Sequence, residues 1–589
     1  MHVVATAGHV DHGKSTLIRA LTGMEPDRWA EERRRGLSIG LGFAWTTLPG
    51  LGEVAFVDVP GHERFVSTML AGAGPAPAVL FVVAADGGWM PQSAEHLAAL
   101  DALGVRHALL AVTRADLADP APALANARAR LAETRLGEVD AVAVNGRTGA
   151  GLDDLRAALR RLLAGIPPAD PAADVRWWID RSFSISGAGT VVTGTLTAGT
   201  LRVGDELVVA SSGERVVVRG LESLERAVDS ASGVARVAAN LRGVARSAIR
   251  RGDALLTPGR WRLSAEVDVV VGVDSLPSEA VLHLGSAAVG VRARPLGSGS
   301  ARLRLARPLP LRVGDRALLR DPGAHQIVTR VDVLDPDPPE LRRRGAARTR
   351  GAELAALADA TPEQIAANVL RRRRFLASDA FAPLGLPVVG ESTGAGYRVA
   401  AEVWSGLVRR VPEVVGEWSR AHPLDDGVPL AVLCAELELP DAAVAGELVE
   451  AAGLCVGQGR VVRRVTLPDA VEAALGALAD ELADQPFVAP DVPRLRELGL
   501  GKAELAAAIR AGRLLKVAEG IVLLPGAGER AGEILAAIEQ PFTVSQARQA
   551  LRTTRRVAVP LLEFLDRQGV TEVYEPGRTR ISGSGRARR

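Results

Sequence analysis

HVVATAGHVDHGKSTLIRALTG (residues 2–23) opens on HVVATA, apolar enough for a buried strand, and closes on TLIRALTG, whose leucines and isoleucine recur at helical spacing. Between them GHVDHGKS (8–15) fits the pattern G-x-x-x-x-G-K-[ST]. A glycine-rich turn from strand to helix presents backbone amides to phosphate oxygens, and the helix dipole favours the anion there. Gly8 and Gly13 allow close backbone approach, and His9, Val10, Asp11 and His12 form the loop between them. Lys14 is placed to reach the β and γ phosphates of a nucleotide and Ser15 to offer a hydroxyl to Mg²⁺, with Thr16 next on the helix. Only three of the 71 basic residues are lysines (Lys14, Lys502 and Lys516), so a lysine kept at position 14 marks a specific requirement.

Outward from this loop, VAFVDVP, PAVLFVVAA and HALLAVTR are further apolar strand candidates separated by helical stretches. Such alternation predicts a parallel sheet covered on both faces, an α/β P-loop domain over residues 1–168. DVPGHE (58–63) supplies the next parts: Asp58 to bind Mg²⁺ through water, the Gly61 amide to sense a γ-phosphate, and His62 to position the attacking water. TRAD (113–116) holds the base-reading position. Asp116 can accept two hydrogen bonds from guanine N1 and N2, which adenine does not offer, so the nucleotide is GTP or GDP. Thr113 and Arg114 stand where the usual N-K-x-D has asparagine and lysine. Arg114 can lay its stem over the base, but the missing amide at Thr113 predicts a modest affinity. VNGRTG (144–149) has Asn145-Gly146 where the last guanine loop commonly has Ser-Ala. RRRGLSIG (33–40) lies where a switch segment belongs, with Ser38 as a second Mg²⁺ hydroxyl.

AGIPPADPAAD (164–174) reads as a proline-rich linker. Short alternating runs rich in glycine follow, predicting two small β-barrels over 175–258 and 259–335. LDPDPPELRRRG (334–345) reads as a second linker. The remainder is mainly helical with short strand pairs, whose turns align on Gly396, Gly459, Gly520 and Gly577 at spacings of 63, 61 and 57. That pattern predicts tandem winged helices over 346–400, 401–466, 467–527 and 528–589, the last separable as a module.

Composition narrows the classes. A chain of 589 residues, 47% apolar and 24% charged, is an ordinary multidomain globular protein. A net charge of +2 confines any nucleic-acid surface to one place. Cys434 and Cys455 have no metal-ligand spacing and read as reduced thiols. No apolar run approaches the roughly 18 residues of a membrane span, and the first residues read into a strand instead of a signal peptide. A cytoplasmic monomer is expected.

GHVDHGKST, RGLSIG and DVPGHERF together resemble the translational GTPases related to elongation factor Tu, and IDRSFSISGAGTVVTGTLTAGTLRVGDEL (179–207) resembles their second-domain barrel. The nearest likeness is to the bacterial selenocysteine-specific elongation factors. Only 24 positions separate Lys14 from Ser38, IDRSF carries the Asp-Arg of that group, Arg236 lies at its second pocket position, and some 250 residues follow the third domain. The resemblance implies delivery of selenocysteinyl-tRNA to the ribosome at UGA codons, with the C-terminal winged helices on a selenoprotein mRNA hairpin. Asp180, Arg181 and Arg236 would then form the selenocysteinyl pocket, where fixed cations favour an ionised selenol over the neutral serine hydroxyl. For the mRNA, residues 552–589 carry nine arginines against four acids, a local +5, with Arg552, Arg555 and Arg556 at a helix start and Arg578 and Arg580 on a wing. Two other readings stand beside this one: a general or initiation-type tRNA-carrying GTPase, and a GTP-dependent regulator whose C-terminal half binds DNA.

Overall fold

A computed structural model describes residues 1–26, 38, 40–185, 189–273, 275–297, 299–323, 326–422, 425, 427–463, 467–574 and 577–580. The segment RRRGLSIG therefore lies outside the described residues except for Ser38 and Gly40, as do the glycine loop 186–188 and the tail 581–589. The chain forms two compact units, residues 1–392 with 396–400, and 393–395 with 401–589. Among the described residues no helix is long and apolar enough to cross a membrane.

The first unit begins with a six-stranded sheet: β1 (His2–Ala7), β2 (Gly42–Leu48), β3 (Gly52–Asp58), β4 (Ala78–Ala84), β5 (His107–Thr113) and β6 (Ala141–Ala143). Its order is β2-β3-β1-β4-β5-β6, parallel except for β2 against β3. Helices α1 (Lys14–Thr22), α2 (Val66–Ala73), α3 (Pro91–Leu103), α4 (Pro120–Ala132) and α5 (Leu152–Ala164) bury separate cores on its two faces. The strands are apolar almost throughout because both of their faces are covered. β1 lies between β3 and β4, so the carboxyl ends of β1, β3 and β5 converge where the sequence places its phosphate, switch and base motifs.

An antiparallel barrel sheet follows, from Arg176–Trp178 to Ala254–Leu256, and then a closed six-stranded barrel from Leu263–Val271 to Ile327–Asp335. The segment read as a second linker does not act as one. Its Asp335 closes the barrel's last strand and, with Asp268, holds arginines from the helices that follow. Arg350 donates to Asp268 at 2.8 Å and to Asp335 at 2.5 Å; Arg302 reaches Asp268 at 2.7 Å and Arg372 reaches Asp335 at 2.6 Å. Leu296 and Leu334 of the barrel share one core with Leu354, Ile365 and Phe381. The first helical repeat, whose sheet pairs Phe375–Ala377, Tyr397–Val399 and Glu391–Ser392, is thus packed onto the barrel.

The second unit repeats the pattern of helices followed by a hairpin. Hairpins Leu454–Gly457 with Arg460–Arg463, Leu515–Ala518 with Ile521–Leu523, and Thr571–Tyr574 with Gly577–Arg580 end successive helix groups. Gly459 and Gly520 turn the first two with φ of 73° and 70°, a conformation that costs glycine little. The last repeat is not a separate module. Phe487, Val517 and Leu523 of the preceding repeat lie in one core with Ala531, Leu535, Phe542, Leu561 and Leu565, so a cut before residue 528 would expose apolar surface on both sides.

Candidate functional site

The phosphate loop is shaped by backbone that only glycine accepts easily. Gly8 has φ +126°, and a side chain there would collide with the carbonyl oxygen of Val82 on β4. Lys14, buried at the head of α1, donates through Nζ to the carbonyls of Gly8 at 3.1 Å and His9 at 2.8 Å. Gly61 packs directly on the loop: a Cβ would lie 2.5 Å from both Lys14 Nζ and the Val10 nitrogen. The histidines here are poor cations. Burial, only partly offset by the Val82 carbonyl, pushes His12 down to about 4, and burial with the Lys14 charge lowers His9.

Asp58, at the end of β3, is buried and takes hydroxyls on both oxygens, Thr6 at 2.7 Å and Ser15 at 2.6 Å. The Ser38 hydroxyl lies 3.1 Å from that of Ser15. Two hydroxyls and a carboxylate are hard oxygen donors of the kind Mg²⁺ takes, so the residues present fit that ion. His62 caps the short 3-10 helix Glu63–Phe65, its Nδ1 accepting the Arg64 amide at 3.2 Å, so that in the neutral, half-buried ring Nε2 is the donor.

At the base end Thr113 ties two loops together. Its hydroxyl donates to the His12 carbonyl at 2.7 Å, tying β5 to the phosphate loop across 101 residues. Arg114, at φ 56°, is held by Asp86 at 3.0 Å and by the Asp11 carbonyl. Asp116 is exposed. Asn145 is buried and closes its own loop, Oδ1 accepting the amides of Arg147 at 2.8 Å and Thr148 at 3.0 Å. A Cβ on Gly146 would sit 3.4 Å from the Thr16 methyl, so this loop abuts the start of α1.

The second site lies between β2 and the first barrel. Asp180 forms a two-pronged pair with Arg236, Nη2 at 2.9 Å and Nη1 on the other oxygen, and accepts the Thr193 hydroxyl at 2.7 Å. Their side chains are 4% and 11% exposed, which makes this a buried pair. Arg181, on the strand Arg181–Ile185, donates to the Leu41 carbonyl. Both guanidinium groups lie over the Phe43 ring, Arg236 at 3.9 Å and Arg181 at 4.8 Å from its centroid. They line a cavity of about 300 Å³ with Trp45, Thr193, Glu222 and Glu225. Asp180 thus orients Arg236, whereas Arg181 meets the Leu41 carbonyl ahead of β2 and the Phe43 ring on it. The sequence reading missed Phe43. The one signal for it is an aromatic residue five positions after Ser38, in the strand that leaves the switch.

In the second unit Arg555 begins the helix Arg555–Arg567, and Arg552 and Arg555 are exposed. Arg556 is exposed as well, and its guanidinium also donates to the carbonyl of Ala489 at 2.7 Å, joining this helix to the preceding repeat. Thr553 reinforces the joint through the Phe487 carbonyl. Arg578 and Arg580 lie on the strand Gly577–Arg580, and their side chains are outside the described residues.

Comparison with known proteins agrees with this layout. Residues 1–165 match the elongation factor Tu GTP binding domain, 189–256 match elongation factor Tu domain 2, and 533–573 match the winged helix of elongation factor SelB. The chain is 30% identical to the selenocysteine-specific elongation factor of Desulfomicrobium baculatum, over 97% of this chain and 98% of that one. It is 37% identical to the selenocysteine-specific elongation factor of Escherichia coli (strain K12), over 58% of this chain and 56% of that protein. The crystal structure of a bacterial selenocysteine-specific elongation factor, EF-Sec, superposes with a TM-score of 0.70 at 25% identity, covering 99% of this chain and 100% of that one. With a GTPase domain of the elongation factor Tu type at one end, a SelB winged helix at the other and a full-length relative spanning both, the chain belongs to the selenocysteine-specific elongation factors.

Proposed function

We propose that this protein, a cytoplasmic monomer, carries selenocysteinyl-tRNA to the ribosome at UGA codons, hydrolyses GTP there, and holds a selenoprotein mRNA hairpin through its C-terminal winged helices. The observation that carries this reading is the cavity of about 300 Å³ in which Arg181 and the Asp180–Arg236 pair share the face of Phe43. A selenol is ionised at neutral pH and a serine hydroxyl is not, so the Arg181 guanidinium, beside the ion-paired Arg236, separates the correct aminoacyl group from its seryl precursor by charge. Glu222 and Glu225, exposed at the mouth, suit the aminoacyl amine instead of opposing the anion within.

In the nucleotide site, Lys14 takes the β and γ phosphates, and the loop 8–16, from Gly8, His9 and Val10 through Asp11, His12 and Gly13 to Ser15 and Thr16, wraps around them. Ser15, Ser38 and Asp58 hold Mg²⁺, which when bound neutralises phosphate charge. Gly61 offers its amide to the γ-phosphate, and His62 orients the attacking water. Asp116 reads guanine, while Thr113, Arg114, Asn145 and Gly146 hold the base loops in place. For the hairpin, Arg552 and Arg555 contact phosphates from the start of the last recognition helix, with Arg578 and Arg580 on its wing and Arg556 acting from behind as a strut.

The test is to mix the GTP form with selenocysteinyl-, seryl- and bulk elongator aminoacyl-tRNAs and follow ester hydrolysis. Protection confined to the selenocysteinyl form is expected. Equal protection of all three would make the protein a general tRNA carrier.

A further inference from the structure

The phosphate loop is held from outside by one helix. On α3, Gln92 and His96 are four residues apart and therefore share a face. Gln92 Oε1 accepts the Val10 amide at 3.0 Å, and His96 Nδ1 accepts the Gly8 amide at 3.0 Å. A loop with φ of 126° at Gly8 and 63° at Asp11 belongs to neither helix nor sheet, so its buried amides need acceptors from elsewhere. Because His96 Nδ1 accepts an N–H, the ring proton is on Nε2, and that atom has no hydrogen-bond partner among the described residues. Full burial, with the Lys14 charge nearby, pushes His96 down to about 3, so the ring stays a neutral acceptor at physiological pH. Glu95, one position before His96 on the same helix, faces Arg320 of the closed barrel at 3.9 Å.

We propose that Gln92 and His96 are positioning residues of the nucleotide site: they fix the Gly8 and Val10 peptide planes so that the phosphate-binding amides are already aimed before the nucleotide arrives. The inference rests on the GTP-binding reading of the loop. Neither side chain needs to touch the nucleotide. Their effect is preorganisation, which lowers the ordering cost of binding. The helix that steadies the loop also meets the closed barrel, so the two domains share one rigid element.

The experiment measures binding of fluorescent GDP and GTP analogues to the full-length protein by stopped flow. His96→Leu removes the acceptor while keeping the bulk, His96→Asn puts an amide oxygen near the former Nδ1, and Gln92→Met removes the second acceptor. His96→Leu and Gln92→Met are each expected to weaken GDP binding about tenfold, as an unsatisfied buried amide does, mainly through faster release. His96→Asn should recover most of that loss. If His96→Leu and His96→Asn lose affinity equally, His96 only fills space and the proposal fails. Gln92 is half-buried, so its variant decides the matter even if His96→Leu does not fold: wild-type affinity in Gln92→Met overturns the idea. A wild-type protein that binds no guanine nucleotide would instead overturn the reading of the loop itself, and this inference with it.

Discussion

Two buried aspartates anchor the two sites, and the hydrogen-bond donors described for them differ in charge. Asp58 receives hydroxyls from Thr6 and Ser15, while Asp180 receives a guanidinium from Arg236 and a hydroxyl from Thr193. Hydroxyl donors position a carboxylate without cancelling its charge, whereas a guanidinium positions it and cancels it. Hydroxyls therefore suit a place meant for a cation such as Mg²⁺. The cancelled pair suits a pocket in which a further guanidinium, Arg181, must remain attractive to an anion. The same residue type serves opposite polarities because its partners differ.

The largest effect expected at the Asp58 end involves no charge at all. His62→Ala should leave nucleotide and tRNA binding intact and slow ribosome-stimulated GTP hydrolysis by on the order of 10²–10⁴, the usual range for a positioned proton-transfer or water-orienting group. Single-turnover hydrolysis on programmed ribosomes measures it. A wild-type rate would remove His62 from the site.

The comparison itself is tested by matched substitutions to asparagine. Asp180→Asn keeps the shape but leaves the buried Arg236 guanidinium without its counterion, and breaking such a pair typically costs about 3–5 kcal/mol. Denaturant unfolding of the first unit should show a loss of that order. Arg236→Ala should do likewise by stranding Asp180, so it is not the clean probe of the pocket that the sequence alone suggests. Asp58→Asn accepts one of the two hydroxyls through its amide oxygen and donates its NH2 to the other, which can turn to accept, so folding should suffer less than in Asp180→Asn while magnesium-dependent nucleotide binding falls. If the two variants lose stability equally, the distinction between hydroxyl-held and guanidinium-held aspartates is wrong.

Arg181 offers a second test of polarity, because its guanidinium donates to the Leu41 carbonyl just ahead of β2 and lies over Phe43. Arg181→Ala should weaken selenocysteinyl-tRNA by about 1–3 kcal/mol, the range for hydrogen bonds to charged groups, and seryl-tRNA much less. Dissociation constants for both tRNAs give the answer. Equal losses would mean that Arg181 holds the tRNA in general and does not sense the aminoacyl charge.

The two sites also differ in how far the sequence disclosed them. Lys14, Ser15, Asp58 and Thr113 sit at the ends of three strands whose apolar runs and turn residues are local signals, so their convergence follows once the sheet is parallel. The fold class was legible for the same reason. The second site depends on contacts between domains. Phe43 meets Arg181 and Arg236 only when β2 packs against the barrel, and nothing in its neighbours in sequence announces that. The segment 334–345 misled because proline and alternating charge describe a linker equally well as a strand end with acids aimed at Arg350 and Arg372. The bond from Arg556 was hidden for a related reason. An arginine at a helix start looks the same in sequence whether it faces RNA or the carbonyl of Ala489.

The smallest effect tests whether a hydroxyl does the work that the guanine motif usually gives to an amide. Thr113 replaces the asparagine of N-K-x-D, and from sequence that loss predicts a weak nucleotide site. Its hydroxyl nevertheless reaches the His12 carbonyl at 2.7 Å from a side chain only 4% exposed, so the tie between the base loop and the phosphate loop is kept. Thr113→Val preserves the branched shape and removes the donor, leaving a buried carbonyl short of one bond. A neutral hydrogen bond is worth about 1 kcal/mol, so GDP affinity should fall roughly fivefold, with guanine still preferred over adenine because Asp116 is untouched. Selenocysteinyl-tRNA binding at saturating GTP should not change, since the pocket beneath Phe43 shares no partner with Thr113. Titration with labelled GDP at fixed magnesium reads the first effect. An unchanged affinity would show that the hydroxyl is a packing detail, and that the weak site expected from the missing amide was the better reading.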